Sequence, residues 1–160
     1  MRAHCVVDSP VGPLTLVEED QHLVGLYMNE QRHRPDPSAH GDRDDSVLLE
    51  AREQLSAYWA GELREFDLPL RLEGTPFRQR VWDALRTIPY GETWSYGKLA
   101  AEIGAPAASR AVGLANGRNP ISIVVPCHRV VGANGSLTGY GGGLARKQWL
   151  LAHEKRRPAG

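Results

Sequence analysis

The sequence predicts an α+β fold in which a small N-terminal antiparallel sheet and one helix precede a mainly helical C-terminal part with a helix–turn–helix. Short apolar runs broken by turn residues fill the first 30 positions, a pattern typical of strands. Apolar residues at helical spacing dominate beyond residue 74. With 160 residues, 41% of them hydrophobic, the chain can bury a substantial core. We expect two domains, residues 1–73 and residues 74–160.

The first strands are predicted from three apolar runs that are separated by turn residues. Residues 4–8, 14–17 and 23–28 read as strands of a β-meander, in which consecutive strands are antiparallel. Residues 31–45 are rich in Pro, Asp, His and Arg and are predicted to form an exposed loop.

One helix should complete the N-terminal domain, from an N-cap at Ser46 to a stop at Gly61. Its apolar stripe consists of Val47, Ala51, Leu55, Tyr58 and Trp59. His4 and Cys5 lack a second pair of ligands at zinc spacing, so we expect no metal site. Nothing else in this domain carries obvious chemistry.

Two well-marked helices open the C-terminal domain. Thr75 and Pro76 suit the N-cap and the first helical position of a helix that Pro89 ends. Ser95 can cap a second helix over residues 96–103. This helix is expected to be the first of the helix–turn–helix.

The other helix of that pair is predicted over residues 107–115, after a turn at 104–106. Six of its nine residues are small: Ala107, Ala108, Ser109, Ala111, Gly113 and Ala115. Arg110 is the single long polar side chain among them. Such a slim helix could enter a narrow groove of a duplex with Arg110 as its probe, or it could pack closely on another helix. The sequence leaves both open.

The two halves of the chain carry opposite charges, although the net charge is zero. Residues 1–73 hold 7 basic and 15 acidic residues, a net charge of −8, and residues 74–160 hold 12 and 4, a net charge of +8. This asymmetry predicts that the second half faces a polyanion such as nucleic acid. A basic face that is merely solvated is the alternative.

Several classes of protein are disfavoured by the composition. No run of 18 apolar residues is present, so no membrane span is expected. The N-terminus lacks the apolar region of a signal peptide, and two distant cysteines do not make a disulfide framework. We therefore expect a cytoplasmic protein.

The segment 121–131 is predicted to be the centre of the chemistry. Its apolar run ends at Pro126, which has no N–H and favours extended geometry in the residue before it. A buried, strand-like segment should therefore stop there and present Cys127, with His128 and Arg129 beside it. A final helix is expected over residues 144–153.

Cys127 is a candidate nucleophile, although a lone buried cysteine is usually a small apolar side chain. Neighbouring His128 and Arg129 can lower the pKa of a thiol. A thiolate with a base that a carboxylate orients is the general arrangement of an activated sulfur nucleophile, and Glu154 is a candidate orienter. The alternatives are a binding module that docks through the helix–turn–helix without any thiol chemistry, and another kind of thiol enzyme, such as a redox protein or a hydrolase.

The motifs of the second half resemble those of a known family. Pro126-Cys127-His128-Arg129 followed by Val130-Val131-Gly132 is similar to the active-site signature of the O6-alkylguanine-DNA alkyltransferases (methylated-DNA–protein-cysteine methyltransferases). The resemblance covers residues 74–155 in order, including residues 88–93, 109–113 and 119–120, and the opening residues 8–12. It implies a winged-helix-like C-terminal domain.

The resemblance also implies catalytic roles. Cys127 would accept the alkyl group, and His128 would deprotonate it through a water while Glu154 holds the imidazole. Tyr96 would donate a proton to guanine N3 as negative charge develops on the leaving base. Asn119 would brace the active-site turn.

The implied contacts with DNA involve a second set of residues. The Val130 carbonyl would help to read the guanine edge, and Tyr140 and Gly141 would close over the base. Arg110 would take the place of a flipped nucleotide in the duplex. Small side chains would let this helix lie in the minor groove: Ala108, Ser109 and Ala111.

The implied function is direct repair of O6-alkylguanine, and of O4-alkylthymine, in double-stranded DNA. The thiolate would displace the base in one in-line step after nucleotide flipping. The thioether product has no route back, so each molecule would act once, without cofactor or metal. The protein is expected to be a monomer that can cluster along DNA.

Overall fold

A computed structural model describes residues 1–29, 31, 34–132 and 143–155. Three strands, β1 (Arg2–Val7), β2 (Leu14–Glu19) and β3 (His22–Met28), form antiparallel pairs as the sequence predicts. A fourth short strand, β4 (Asp42–Arg43), completes a sheet of order β3-β2-β1-β4. The β-meander is therefore confirmed, with one strand more than expected.

β4 corrects two expectations, because it lies in the predicted loop and pairs parallel to β1. The sheet is therefore mixed, not purely antiparallel. Gly41 precedes β4 with φ of +74°, and a Cβ there would lie 1.8 Å from the Arg2 carbonyl oxygen. Pro37–His40 forms a 3-10 turn in which His40 is buried. A two-residue strand has no periodicity that could have revealed it.

Helix α1 (Leu49–Trp59) covers the sheet with the predicted apolar stripe, in which Ala51, Leu55 and Tyr58 are buried. Its N-terminus corrects the sequence prediction, since Leu48 is the N-cap, in the left-handed region at φ of 58°. The Ser46 hydroxyl instead donates to the Asp44 carboxylate. A local Asp–Ser turn has replaced the predicted cap.

The second half contains four helices in the part of the chain that the structure describes: α2 (Pro76–Leu85), α3 (Tyr96–Glu102), α4 (Ser109–Gly117) and α5 (Leu144–Lys155). Thr75 and Ser95 cap α2 and α3 as predicted, with hydroxyls that accept from Arg78 N and Lys98 N. Two short strands, β5 (Trp94–Ser95) and β6 (Val130–Val131), pair in parallel.

Residues 121–125 do not form the predicted strand. Ile121 makes a single bridge to Leu26 of β3, and the chain then turns, with Ile123 at φ of +73°. The backbone N–H groups of Val124 and Val125 bond to oxygens within this turn. The apolar run indicates that these residues are buried in the core. A tight turn between Pro120 and Pro126 can bury them as well as a strand can.

One hydrophobic core joins both halves of the chain. It includes Leu14 and Leu26 of the sheet, Leu55 of α1, Trp82 of α2 and Leu150 of α5. None of the helices in the described ranges is long and apolar enough to span a membrane. The shared core fixes the N-terminal half firmly against the elements that carry Cys127.

Candidate active site

Cys127 begins a 3-10 turn, Cys127–Arg129, that follows Pro126 directly. It is only 4% exposed. Its backbone N–H bonds to the Val125 carbonyl, and its carbonyl accepts from Asn116 Nδ2 of α4 at 3.4 Å. The thiol therefore has a fixed position and is almost fully covered, so a substrate must enter the site to reach it.

The thiol is protonated at rest. Burial raises the pKa of Cys127, and the side chains of Asn119 and Ser122 and the charge of Lys147 offset that rise only in part. The expectation that Arg129 would lower the pKa of the thiol is wrong, because its guanidinium bonds to Glu154 and to the Ile88 carbonyl. Transfer therefore requires a base that removes the thiol proton.

Glu154 of α5 collects hydrogen bonds from three side chains. His128 Nε2 lies 2.8 Å from Oε2, and Arg129 donates to both carboxylate oxygens, at 2.8 Å to Oε1 and 3.0 Å to Oε2. The Tyr58 hydroxyl of α1 donates to Oε2 at 2.6 Å. All four groups are buried, so this is a desolvated network around one carboxylate.

The protonation of this network follows from its surroundings. Burial acts to raise the pKa of Glu154, but the hydrogen bonds and charges of His128 and Arg129 outweigh it and hold the pKa well below its usual range. Burial lowers the pKa of His128 despite the nearby carboxylate, so the ring is neutral at pH 7. Ionised Glu154 can only accept a hydrogen bond, so Nε2 carries the ring hydrogen and Nδ1 is the basic nitrogen. Nδ1 has no hydrogen-bond partner among the described residues.

Asn119 ties together the turn that leads to the thiol. Its Nδ2 donates to the Val125 carbonyl at 2.8 Å, and its Oδ1 accepts from the Ile121 N–H at 3.0 Å. It also contributes to the environment of Cys127. One buried amide thus satisfies backbone groups at both ends of the turn, as a bracing residue should.

Tyr96 lies at the start of α3, half-buried, with its ring against Gly113 of α4. Burial and the nearby Cys127 raise the pKa of its hydroxyl, while a hydrogen bond with Asn116 acts in the opposite direction. The phenol is therefore a protonated donor at the edge of the site. A Cβ at position 113 would lie 3.7 Å from the Tyr96 ring, an ordinary van der Waals distance.

The N-terminal end of α4 faces solvent. Ser109, Arg110 and Ala111 are exposed, while Val112 and Ala115 are buried against the core. The helix begins two residues later than predicted, so Ala107 lies in the preceding turn and Ala108 is the half-buried N-cap. One face of the helix thus packs on the core, as close helix packing predicts, and the other face is open to solvent.

The predicted substrate-binding residues have different outcomes. Val130 is fully buried in β6, and its carbonyl accepts a hydrogen bond from Lys147 Nζ at 2.5 Å. Tyr140 and Gly141 lie outside the described residues. The structure therefore brings together Cys127, His128, Glu154, Asn119 and Tyr96. Val130 is buried in the strand that follows the 3-10 turn, and Arg110 lies on the exposed face of α4.

Sequence analysis gave no role at this site to three side chains: Tyr58, Asn116 and Lys147. Tyr58 was predicted only as part of an apolar stripe, and Lys147 lay within the family resemblance without a role of its own. Arg129 was expected to act on the thiol and instead bonds to Glu154. Lys147 is fully buried, which is rare for a lysine and marks a functional position once burial is known. The sequence alone carries no signal of that burial.

Comparison with known proteins covers both halves of the chain. Residues 4–72 match the family model described as 6-O-methylguanine DNA methyltransferase, ribonuclease-like domain. Residues 76–156 match 6-O-methylguanine DNA methyltransferase, DNA binding domain. Together the two matches span nearly the whole sequence.

Individual relatives agree with the family models. The methylated-DNA–protein-cysteine methyltransferase of Mycobacterium tuberculosis (strain ATCC 25618 / H37Rv) is 60% identical over 94% of this chain and 91% of its own length. Its counterpart in Salmonella typhimurium is 46% identical over 92% of each chain. The crystal structure of Mycobacterium tuberculosis OGT in complex with DNA matches with a TM-score of 0.90 and 58% identity, over 96% of this chain and 92% of that one.

These similarities confirm the resemblance seen in the sequence motifs, and they extend it to the N-terminal sheet and helix. The chain belongs to the methylated-DNA–protein-cysteine methyltransferase family and is a DNA-binding enzyme of DNA repair.

Proposed function

We propose that the protein removes the alkyl group from O6-alkylguanine, and from O4-alkylthymine, in duplex DNA and transfers it to Sγ of its own Cys127. The observation that carries this proposal is the buried thiol of Cys127 next to the His128–Glu154 pair. A neutral imidazole with a free basic nitrogen and an ionised partner is suited to accept a thiol proton.

The reaction would proceed in one displacement. The thiol proton moves to His128 Nδ1 through a water, and Glu154 stabilises the imidazolium. The thiolate attacks the alkyl carbon in line, forming the C–S bond as the bond from that carbon to O6 breaks. Tyr96 donates a proton to N3 of the departing guanine and so neutralises the negative charge that develops on the base. The proton that His128 took from the thiol then returns through water to the Tyr96 phenolate, so no net charge remains. The charge of Lys147 favours the thiolate.

The product is a thioether, and we propose that each molecule reacts once. A carbon–sulfur bond of this kind is not exchanged by a second thiol. The other cysteine of the chain, Cys5, is buried in β1. We therefore expect that the free thiol of Cys127 is not regenerated after transfer.

Access to Cys127 requires that the target nucleotide leaves the base stack, because the thiol is nearly closed off from solvent. Flipping costs a few kcal/mol, less for a damaged base that pairs poorly. We propose that α3 and α4 dock as a helix–turn–helix, with the exposed Ser109 and Ala111 against the minor groove. Arg110 then fills the space that the flipped nucleotide leaves.

Direct transfer is tested by intact-mass spectrometry after the protein is mixed with a duplex that contains O6-methylguanine. We expect a gain of one methyl group, mapped to the Cys127 peptide and limited to one equivalent per molecule. The same duplex without the methyl group is the control and should give no mass gain. A protein that binds the modified duplex but gains no mass would instead be a recognition module.

Arg110→Ala should separate flipping from chemistry. We expect the transfer rate with methylated duplex to fall on the order of 10- to 100-fold, which raises the activation free energy by about 1.4–2.7 kcal/mol. The reason is that no side chain then fills the space in the duplex from which the nucleotide has been extruded. The reaction with free O6-benzylguanine base, which needs no flipping, should change little. Both rates are measured by single-turnover mass spectrometry.

Arg118→Ala is the matched control, since Arg118 is an exposed arginine at the other end of α4 and its loss removes the same charge. The transfer rate of Arg118→Ala with duplex should fall only slightly, by the effect of losing one phosphate contact. Equal losses for Arg110→Ala on duplex and on free base would contradict the flipping role.

A further inference from the structure

Tyr58 connects the N-terminal half of the chain to the proposed catalytic carboxylate. It lies in α1, is fully buried, and donates its hydroxyl hydrogen to Glu154 Oε2 at 2.6 Å. The same oxygen accepts from His128 Nε2 at 2.8 Å. A residue 96 positions away in sequence thus shares one acceptor atom with the proposed base.

The direction of the Tyr58 hydroxyl is fixed by its surroundings. Its ring packs against those of Phe66, Tyr90 and His153, with centroid distances of 5.4, 6.2 and 5.1 Å. His153 Nε2 also bonds to the Tyr58 carbonyl at 2.7 Å. Burial and the nearby carboxylate raise the pKa of Tyr58 far above its usual value, so the phenol remains a donor throughout the working pH range.

We propose that Tyr58 is a positioning residue for alkyl transfer, which holds Glu154 Oε2 in place and limits how strongly this carboxylate keeps a proton on His128. The inference rests on the function proposed above for Cys127, His128 and Glu154. It gives the N-terminal half, which was expected to be structural, a defined part in the reaction.

The sign of the effect follows from electrostatics. The O–H dipole points its positive end at Oε2, so it withdraws negative charge from the atom that His128 contacts and also lies close to the imidazolium. Without that dipole, the carboxylate attracts the imidazolium more strongly, and the ring holds its proton to a higher pH. A smaller fraction of His128 is then available as a base at neutral pH.

Other charged and titratable groups face this pair from each packed element, and a change at Tyr58 leaves them in place. They are Arg129 and Cys127 of the 3-10 turn, Lys147 and His153 of α5, and Tyr90 of the segment after α2. Their contributions to the pKa of His128 are therefore common to the wild type and the variant. A shift of the pH profile can be assigned to the missing hydroxyl.

The test is the pH dependence of the single-turnover methyl-transfer rate for the wild type and Tyr58→Phe. We expect the limb on which the rate rises with pH to move up by about one unit, which makes the variant about tenfold slower below the limb. At high pH the two rates should converge, because the hydroxyl takes no part in the displacement. Tyr90→Phe is the matched control: it loses a hydroxyl from a ring that packs on Tyr58 but makes no hydrogen bond to Glu154 in the described structure.

A second substitution reverses the expected shift and does not depend on how well Tyr58→Phe folds. 3-Fluorotyrosine placed only at position 58 keeps the ring and makes the hydroxyl a stronger donor, so the limb should move to lower pH. A role in packing alone would produce neither shift.

The outcomes distinguish this inference from the proposed function. The role of Tyr58 would be overturned if the pH profiles of all the proteins coincided, or if the Tyr58→Phe rate fell equally at every pH. Methylation of Cys127 in the wild type would still uphold the proposed function in that case. If the wild type transfers no methyl group, both proposals fall together. Opposite shifts for Tyr58→Phe and 3-fluorotyrosine would support the inference.

Discussion

Cys127→Ala is expected to abolish alkyl transfer and to leave binding to duplex DNA nearly unchanged. The displacement needs a soft nucleophile at this point in the site, and the only other cysteine, Cys5, lies in β1 of the N-terminal sheet. The side chain of Cys127 is buried, so its loss leaves the exposed face of α4 intact. Removing one sulfur atom should lower the free energy of unfolding by only about 1 kcal/mol.

Two measurements on one preparation check this prediction. Intact mass after incubation with O6-methylguanine duplex should show no adduct, and fluorescence anisotropy with labelled duplex at a fixed salt concentration should give a similar Kd. Cys5→Ala is the matched control: it removes the other buried thiol and should retain full transfer onto Cys127. A methyl adduct on the Cys127→Ala protein would show that another residue is the acceptor.

Local chemistry made several elements predictable from the sequence. The caps at Thr75 and Ser95 depend on residues three positions apart, and both are present as expected. The β-meander follows from short apolar runs that are separated by turn residues. The proposed nucleophile and base are adjacent in sequence, so Cys127 and His128 could be selected as a pair before any fold was known.

Features set by tertiary contacts could not be read in the same way. Whether Glu154 meets His128, 26 positions away, depends on how α5 packs, and the contact of Tyr58 depends on the packing of both halves. The apolar run 121–125 predicted burial correctly but not conformation, because core packing and two flanking prolines favour a turn there. Glu154 was a candidate already because it is one of only four acidic residues in the second half, and the family resemblance supported it. Neither line of reasoning pointed to Tyr58.

Glu154→Gln should affect both the chemistry and the stability of the fold. Arg129 is only 6% exposed and would lose its ionised partner, and an uncompensated buried charge costs about 3–5 kcal/mol of unfolding free energy. The amide can also donate to His128 Nε2, which would place the ring proton on Nδ1 and remove the base. We expect the transfer rate to fall by about 1000-fold or more, roughly 4 kcal/mol or more of barrier.

The loss of stability should depend on pH in a defined direction. Because the pKa of Glu154 is depressed in the folded state, its stabilising contribution is fully present above the pKa of an unfolded carboxyl, about 4.3, and declines as the pH falls below that value. Urea unfolding at a series of pH values should therefore show a large gap between the wild type and Glu154→Gln at pH 7. The gap should narrow below about pH 4.

Glu102→Gln is the matched control for this prediction. Glu102 is half-exposed in α3 and pairs with Lys98 at 3.7 Å, a surface contact worth about 0.5 kcal/mol or less. Its loss should leave the transfer rate and the unfolding curve close to those of the wild type. If Glu154→Gln behaved like this control at pH 7, the network of Tyr58, His128 and Arg129 around the carboxylate would carry neither the stability nor the catalysis assigned to it.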